Sequence, residues 1–178
     1  MIWLAALLLA APPDARIALR LRAPHIEKVA PGFGAVETDG DLRAELLPSD
    51  ELLLEPRARG VFHVFLYARR FVRVLEVAVD VPLPPAPAGG CAVVRDAATY
   101  EDCLAKAAPD GKITFELEGL QAEAKAAQAA LGRGGLAHVS VALSPYGVKL
   151  KGARDEAEKR RALRTIWPWL LTPLRLDD

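Results

Sequence analysis

The densest apolar stretch of the chain lies at residues 61–81, where valine, leucine and aromatic residues follow one another without a glycine or a proline. This enrichment is typical of β-strands. The stretch is far longer than the usual strand of roughly five or six residues. It therefore predicts either two strands that break near Ala68-Arg69-Arg70 or one long, bent strand.

Both faces of segment 61–67 are largely apolar. Because side chains alternate between the two faces of a strand, this pattern predicts either burial on both sides or one side that lines an apolar cavity. The aromatic side chains here, with two tryptophans near the C-terminus, are candidates for an apolar ligand or partner surface: Phe62, Phe65, Tyr67, Trp167 and Trp169.

Shorter alternating segments predict the other strands of the first half. Residues 16–22 alternate basic and apolar side chains over most of their length, which predicts a half-buried strand whose arginines face outward. Residues 42–47 and 52–55 flank a Pro-Ser-Asp turn at 48–50 and predict a hairpin, with a short capped helix as the alternative.

The second half of the chain has a mixed pattern. Residues 91–95 predict a strand, and residues 112–118 alternate polar and apolar side chains, which predicts a strand with one wet face. Residues 136–143 and 148–151 flank a turn that contains proline and glycine, and they predict a second hairpin.

Three segments predict helices. Residues 99–108 begin with a threonine N-cap followed by acidic side chains. Residues 119–131 are rich in alanine and place small and apolar residues on one stripe. Residues 153–166 form a charged helix that Trp167-Pro168-Trp169 ends.

Together these elements predict an α+β fold with a mostly antiparallel sheet and about three helices. A proline- and glycine-rich linker at 82–90 marks the boundary between lobes. The predicted organisation is a signal peptide at 1–15, a β-rich lobe at 16–81, the linker, and an α+β lobe at 91–178, with one core shared between the lobes.

An unbroken apolar run at residues 2–11 is followed at once by Pro12-Pro13-Asp14. Its length is typical of the apolar region of a signal peptide and is too short for a membrane-spanning helix, which needs about 20 residues. No basic residue precedes the run, and the small residues after it make a poor cleavage site. We expect export to the periplasm or cell exterior; the alternatives are a buried first element of a cytosolic protein and a misplaced start codon.

The two cysteines, Cys91 and Cys103, are close in sequence. In an oxidising compartment such a pair favours an internal disulfide, which would stabilise the fold by about 3 kcal/mol. Free buried thiols are the alternative. The spacing is not C-x-x-C and no histidine lies nearby, so redox or metal chemistry is not predicted.

Charge and composition restrict the partners. The chain is 52% hydrophobic, which is typical of a folded globular protein. It has 23 basic and 23 acidic residues, so its formal net charge is zero. Without a global field, no nucleic-acid partner is predicted. Beyond the leader no apolar stretch is long enough to span a membrane.

No motif predicts catalysis, a metal or a cofactor. His25 and Glu27 share one side of a strand but lack a visible third ligand. His63 and His138 lie in apolar strands, where a hydrogen-bonded or surface histidine is the commoner outcome, and Ser140 beside His138 lacks a nucleophile elbow. Catalysis would need a second titratable group beside either histidine in a cleft, which the sequence gives no reason to expect.

A basic cluster precedes the C-terminal tryptophans and is a candidate anion contact: Lys159, Arg160, Arg161 and Arg164. It could hold an anionic headgroup or a partner's carboxylates. The alternative is a solvated face that complements the dipole of its helix.

The leading hypothesis is a non-catalytic exported envelope protein, an interaction or scaffold module whose partner is an envelope protein. The alternative is a carrier or binder of an apolar ligand such as a lipid, suggested by the apolar segment 61–67 and the aromatic residues near the C-terminus. An enzyme is the minority interpretation.

Overall fold

A computed structural model describes residues 15–83, 113–144, 147–170, 174 and 176. The chain divides into two compact units: the first spans Pro13–Ala86, and the second includes the described residues from 113 onward.

The first unit is built from seven strands, which follow one another without a helix. They are β1 (Ala15–Leu19), β2 (His25–Lys28), β3 (Phe33–Thr38), β4 (Leu42–Leu47), β5 (Glu51–Pro56), β6 (Gly60–Ala68) and β7 (Val72–Val79).

These strands form two sheets, one in the order β1-β7-β6-β3 and the other in the order β2-β5-β4. Neighbours are antiparallel except β1, which pairs parallel with β7. This arrangement is that of an immunoglobulin-type sandwich. One sheet contains β2, β5 and β4, and the other contains β3, β6 and β7. Fold type alone does not define a function.

The core of the sandwich lies between the two sheets. Side chains alternate along each strand, so every second residue points inward. The buried cluster comprises Val29, Leu42, Leu52, Leu54, Val64, Leu66, Leu75, Val77 and Val79. Most of these side chains are fully buried, and each large aliphatic residue contributes about 1.5–3 kcal/mol through burial.

The apolar stretch at 61–81 forms two strands, so the break near residues 68–70 is confirmed and the single long strand is excluded. On β6, Val64 and Leu66 point into the inter-sheet core, whereas Phe65 and Tyr67 lie on the opposite face. Both sets of side chains are buried. Burial on both sides therefore accounts for the apolar pattern.

The second unit contains two α-helices and a hairpin. Its elements are α1 (Ile113–Arg133), β8 (Ser140–Ser144), β9 (Gly147–Lys151), α2 (Glu156–Ile166) and a 3₁₀ helix (Trp167–Trp169). Within the described ranges, neither helix combines the length and the apolarity needed to cross a membrane.

The strand expected at 112–118 is wrong, because α1 already begins at Ile113. Two periodicities overlap here. The residues alternate in twos, but apolar or small residues also recur three and four apart throughout the helix, at Ile113, Leu117, Leu120, Ala124, Ala127 and Leu131. This longer repeat matches a helix, and a short alternation does not outweigh it.

The structure also bears on the hairpin, the helix and the tail that were predicted for the second unit. The hairpin is confirmed, although β8 starts later than residue 136. Helix α2 is confirmed and is followed by the 3₁₀ turn that contains Pro168. The tail contributes an isolated parallel bridge between Val148 and Leu176.

The mixed α+β class with mostly antiparallel sheets is therefore confirmed, but the expected count of about three helices is corrected to two α-helices in the described part. The signal segment up to residue 14, the helix at 99–108, the strand at 91–95, Cys91 and Cys103 lie outside the described residues.

Candidate functional site

The three aromatic residues of β6 do not form one surface. Phe62 packs against the inter-sheet core and also against Gly40, where a Cβ atom would lie 2.6 Å from the Phe62 ring. Phe65 and Tyr67 lie on the opposite face of the sheet, 2% and 7% exposed, and the Tyr67 hydroxyl donates to Glu37 over 3.3 Å. Strand alternation thus separates Phe62 from the other two.

The two C-terminal tryptophans also differ. Trp167 is buried. Trp169 is half-buried, and the guanidinium of Arg133 lies 5.1 Å from the centre of its ring, within range of a cation–π interaction. Trp167 therefore belongs to the core of the second unit, whereas Trp169 is partly exposed beside Arg133.

The basic cluster on α2 has intramolecular partners. Arg161 donates to the carbonyl of Gly134 over 2.7 Å, and Lys159 lies 3.6 Å from Glu156. Arg160 and Arg164 also make contacts. Internal contacts and the helix dipole therefore account for these side chains, although an added anion contact stays a prediction.

A charged network crosses one end of the four-stranded sheet. Arg16 Nε lies 2.7 Å from Glu76, and Nε2 of His63 lies 4.0 Å from the other oxygen of Glu76. Nδ1 of His63 lies 2.6 Å from Asp39, whose second oxygen accepts the backbone N–H of His63 over 2.7 Å. Both ring nitrogens of His63 thus face carboxylate oxygens.

Two opposing effects act on the pKa of Asp39. Burial raises the pKa of this carboxyl, but the hydrogen bonds from the His63 side chain and backbone, together with its charge, outweigh burial and lower it. Asp39 is consequently a stable anionic partner for His63.

The other two histidines also pair with carboxylates. His25 Nε2 lies 3.3 Å from Glu27 on the edge strand β2, as their spacing suggested. His138 Nε2 lies 3.1 Å from Glu158. In the described part of the chain, no group of three or more His, Cys, Asp or Glu residues is arranged to hold a metal ion.

Glu158 has a structural role at the start of α2. Its backbone N–H donates to the Asp155 side chain, while its carboxylate accepts the backbone N–H of Arg154, both over 2.7 Å. Asp155 thus caps the first turn of α2, and Glu158 joins that turn to the residue before the cap. The hydrogen bond from the Arg154 backbone lowers the pKa of Glu158 most, and the hydrogen bond from His138 lowers it further.

No carboxylate partner was predicted for either His63 or His138. Each contacts a carboxylate, but the contacts of His63 belong to a charged network and that of His138 to a helix cap. Both arrangements fix the fold locally.

An open depression of about 320 Å³ lies where β3 passes into β4. Polar and charged residues form much of its wall, including Glu37, Thr38, Asp41, Arg43 and Arg57. A lining of this kind differs from the mostly apolar walls of typical small-molecule pockets.

Two exposed features were not singled out from the sequence. At the β6–β7 turn, Phe71 is 43% exposed, and its ring stands edge-on to that of Phe33 with 5.4 Å between their centres. At the opposite end of the sandwich, the arginines at positions 20, 22 and 57 are exposed. The sequence signal for Phe71 was its place beside two arginines in the expected strand break.

No protein-family model matches the chain, and no curated protein sequence shows significant similarity to it.

Proposed function

We propose that the protein is a non-catalytic exported interaction module whose first unit presents a preorganised aromatic contact to an envelope partner. The observation that supports this most directly is the pair formed by Phe71 and Phe33 at the β6–β7 end of the sandwich. Export is carried over from the apolar run at residues 2–11.

The exposed part of an aromatic ring keeps apolar surface in contact with water, and a partner that covers it gains the free energy of burying that surface. Phe71 stands beside exposed Arg69 and Arg70, and its ring is supported by the half-buried Phe33. Aromatic and arginine side chains are enriched at protein interfaces and at their energetic hot spots. The edge-to-face contact also holds the ring before a partner arrives, which lowers the entropy lost on binding.

The interior of the sandwich supports surface recognition over ligand carriage. Fully buried leucines and valines from both sheets occupy the space between them, and Phe62 is part of that packing. A carrier would need a contiguous apolar cavity instead.

Site-specific photo-cross-linking in the native host tests the proposal. A benzophenone amino acid replaces Phe71 in one variant and exposed Glu45 in a control variant; Glu45 is on the three-stranded sheet, paired with Arg43. We expect a discrete protein adduct from position 71 and none from position 45. Equal adduct patterns from both positions, or no adduct from position 71, would contradict the proposal.

A further inference from the structure

Two loops carry arginines at the end of the sandwich opposite Phe71. The backbone N–H of Arg22, after β1, donates to the carbonyl of Pro56, at the end of β5, over 3.1 Å. Arg22 is therefore a neighbour of Arg57. A turn closed by the bond from Ala23 N–H to the Arg20 carbonyl, 3.2 Å, places Arg20 in the same loop.

The guanidinium groups of Arg20, Arg22 and Arg57 are exposed and form neither a hydrogen bond nor an ion pair with any residue that the structure describes. This separates them from the basic cluster on α2, whose members are engaged. A guanidinium presents a fork of donors that matches phosphate and carboxylate oxygens.

The acidic residues of this end leave the three arginines largely unbalanced. Asp80 lies 3.7 Å from Arg59 and accepts the backbone N–H of Leu21, and Asp39 is bonded to His63. Only Asp41 is exposed at this end with its carboxylate uncommitted among the described residues. Three guanidinium groups thus face solvent against one carboxylate.

The backbone at Arg22 has a conformation that does not favour a long side chain. Its φ is 61°, in the left-handed region that glycine adopts freely and that a long side chain occupies at a cost. Outliers of this kind concentrate at functional positions.

Exposed aliphatic side chains accompany the arginines. Val61 is 37% exposed and lies in β6 just after the loop that carries Arg57, and Leu83 is 36% exposed and follows the end of β7. Arginines beside aliphatic side chains suit the boundary between lipid headgroups and acyl chains. Sites for single-stranded nucleic acid instead place aromatic rings among their basic residues.

We propose that this end of the sandwich, the arginine end (Arg20, Arg22, Arg57, Val61 and Leu83), binds the phosphate headgroups of an anionic lipid surface. The inference rests on the proposed function, since it gives the interaction module a membrane surface in addition to its protein partner. The opposite end, with Phe71, then points away from the lipid.

Co-sedimentation of the protein recovered from an exporting host with phosphatidylcholine vesicles, with and without phosphatidylglycerol, tests the inference. The test variant is Arg22→Gln with Arg57→Gln. The control is Lys28→Gln with Lys125→Gln, which removes the same charge from exposed positions outside the arginine end. We expect binding that requires phosphatidylglycerol and weakens with salt. The test variant should bind roughly 30-fold more weakly, about fivefold per arginine, and the control should bind like the wild type.

Arg22→Gly is a second variant, and it is expected to keep the fold because glycine adopts the backbone conformation of this position freely. Glycine relieves the left-handed strain, so this variant should be more stable to heat and yet bind vesicles about fivefold more weakly. Unchanged vesicle binding by Arg22→Gly would overturn a role for Arg22.

Three further outcomes would overturn the inference. The first is vesicle binding that does not depend on phosphatidylglycerol, and the second is an equal loss of vesicle binding in the test and control variants. The third is vesicle binding that Val61→Ser with Leu83→Ser leaves unchanged while soluble polyphosphate competes fully with the vesicles. The last would assign the site to a soluble phosphate polymer. If vesicle binding fails but the cross-link from position 71 persists, only the lipid inference falls; loss of that cross-link contradicts the proposed function itself.

Discussion

Gln128 joins helix α1 to the start of strand β8 and to the residue before it through both ends of its side-chain amide. Its Nε2 donates to the carbonyl of Val139 over 2.9 Å, and its Oε1 accepts the backbone N–H of Val141 over 3.1 Å. The amide thereby bonds to β8 much as a neighbouring strand would. Gln128→Ala removes both bonds and leaves the two backbone groups without these partners.

The magnitude follows from two bonds and their surroundings. Each hydrogen bond contributes about 0.5–1.5 kcal/mol net, and a buried group left unpaired costs more than the average. Val139 is fully buried and Val141 is half-buried. We therefore expect Gln128→Ala to lower the free energy of unfolding of the second unit by about 2–3 kcal/mol.

Urea unfolding followed by tryptophan fluorescence measures this loss, because Trp167 and Trp169 both lie in the second unit. Gln121→Ala is the matched control: Gln121 is exposed on the same helix, so the change in helix propensity is the same and only the bonds to β8 differ. Unrelated surface substitutions change the free energy of unfolding by up to about 0.5 kcal/mol. If the free energies of unfolding of the two variants differ by less than that, the two hydrogen bonds do not have the proposed effect.

Three further outcomes are expected. Gly119→Ala should stabilise α1 by about 0.5–1 kcal/mol in thermal unfolding, because Gly119 is exposed and nothing lies within 4 Å of the added Cβ; destabilisation would contradict the helix at this position. Asp155→Ala should destabilise α2 by about 0.5–2 kcal/mol in urea through loss of its N-cap, and an unchanged midpoint would exclude that role. The pKa of Asp39 is lowered in the fold, so the contribution of this carboxylate to the free energy of unfolding is present at neutral pH and is lost as the pH falls below about 4. The difference in stability between the wild type and Asp39→Asn should therefore shrink over that range. A constant difference would refute the pairing with His63.

Five of the seven strands of the first unit (β1, β4, β5, β6 and β7) were predictable, because each carries its own alternation or apolar run, whereas β3 lies in a glycine-rich segment for which no strand was predicted. The residues flanking the turn at 48–50 and the break near Arg69 are local signals, and both were confirmed. The order of the strands in two sheets was not predicted, since it depends on contacts between distant segments. Such a contact pairs β1 with β7.

The start of α1 shows where a local pattern misleads. Residues 112–118 satisfy an alternation of two, but the helical repeat from Ile113 to Leu131 covers a much longer stretch. The helical repeat continues into the helix predicted at 119–131, and it was the better guide to the structure of residues 113–118.

The candidate site was less predictable than the fold. Strand alternation alone would have separated Phe62 from Phe65, so that information was present in the sequence. The partner of His63 was not available from its neighbours, because Asp39 lies 24 positions earlier and is brought close by the pairing of β3 with β6. The left-handed backbone at Arg22 had no sequence signal, since that position favours glycine.

Native mass spectrometry of the protein recovered from an exporting host tests the central claim, an exported interaction module, most directly. We expect a chain that lacks roughly its first 11–15 residues, is lighter by two hydrogens before reduction because Cys91 and Cys103 are bridged, and carries no stoichiometric apolar ligand. A full-length chain with two free thiols would contradict export, and one tightly bound apolar molecule per chain would contradict the interaction module in favour of a carrier.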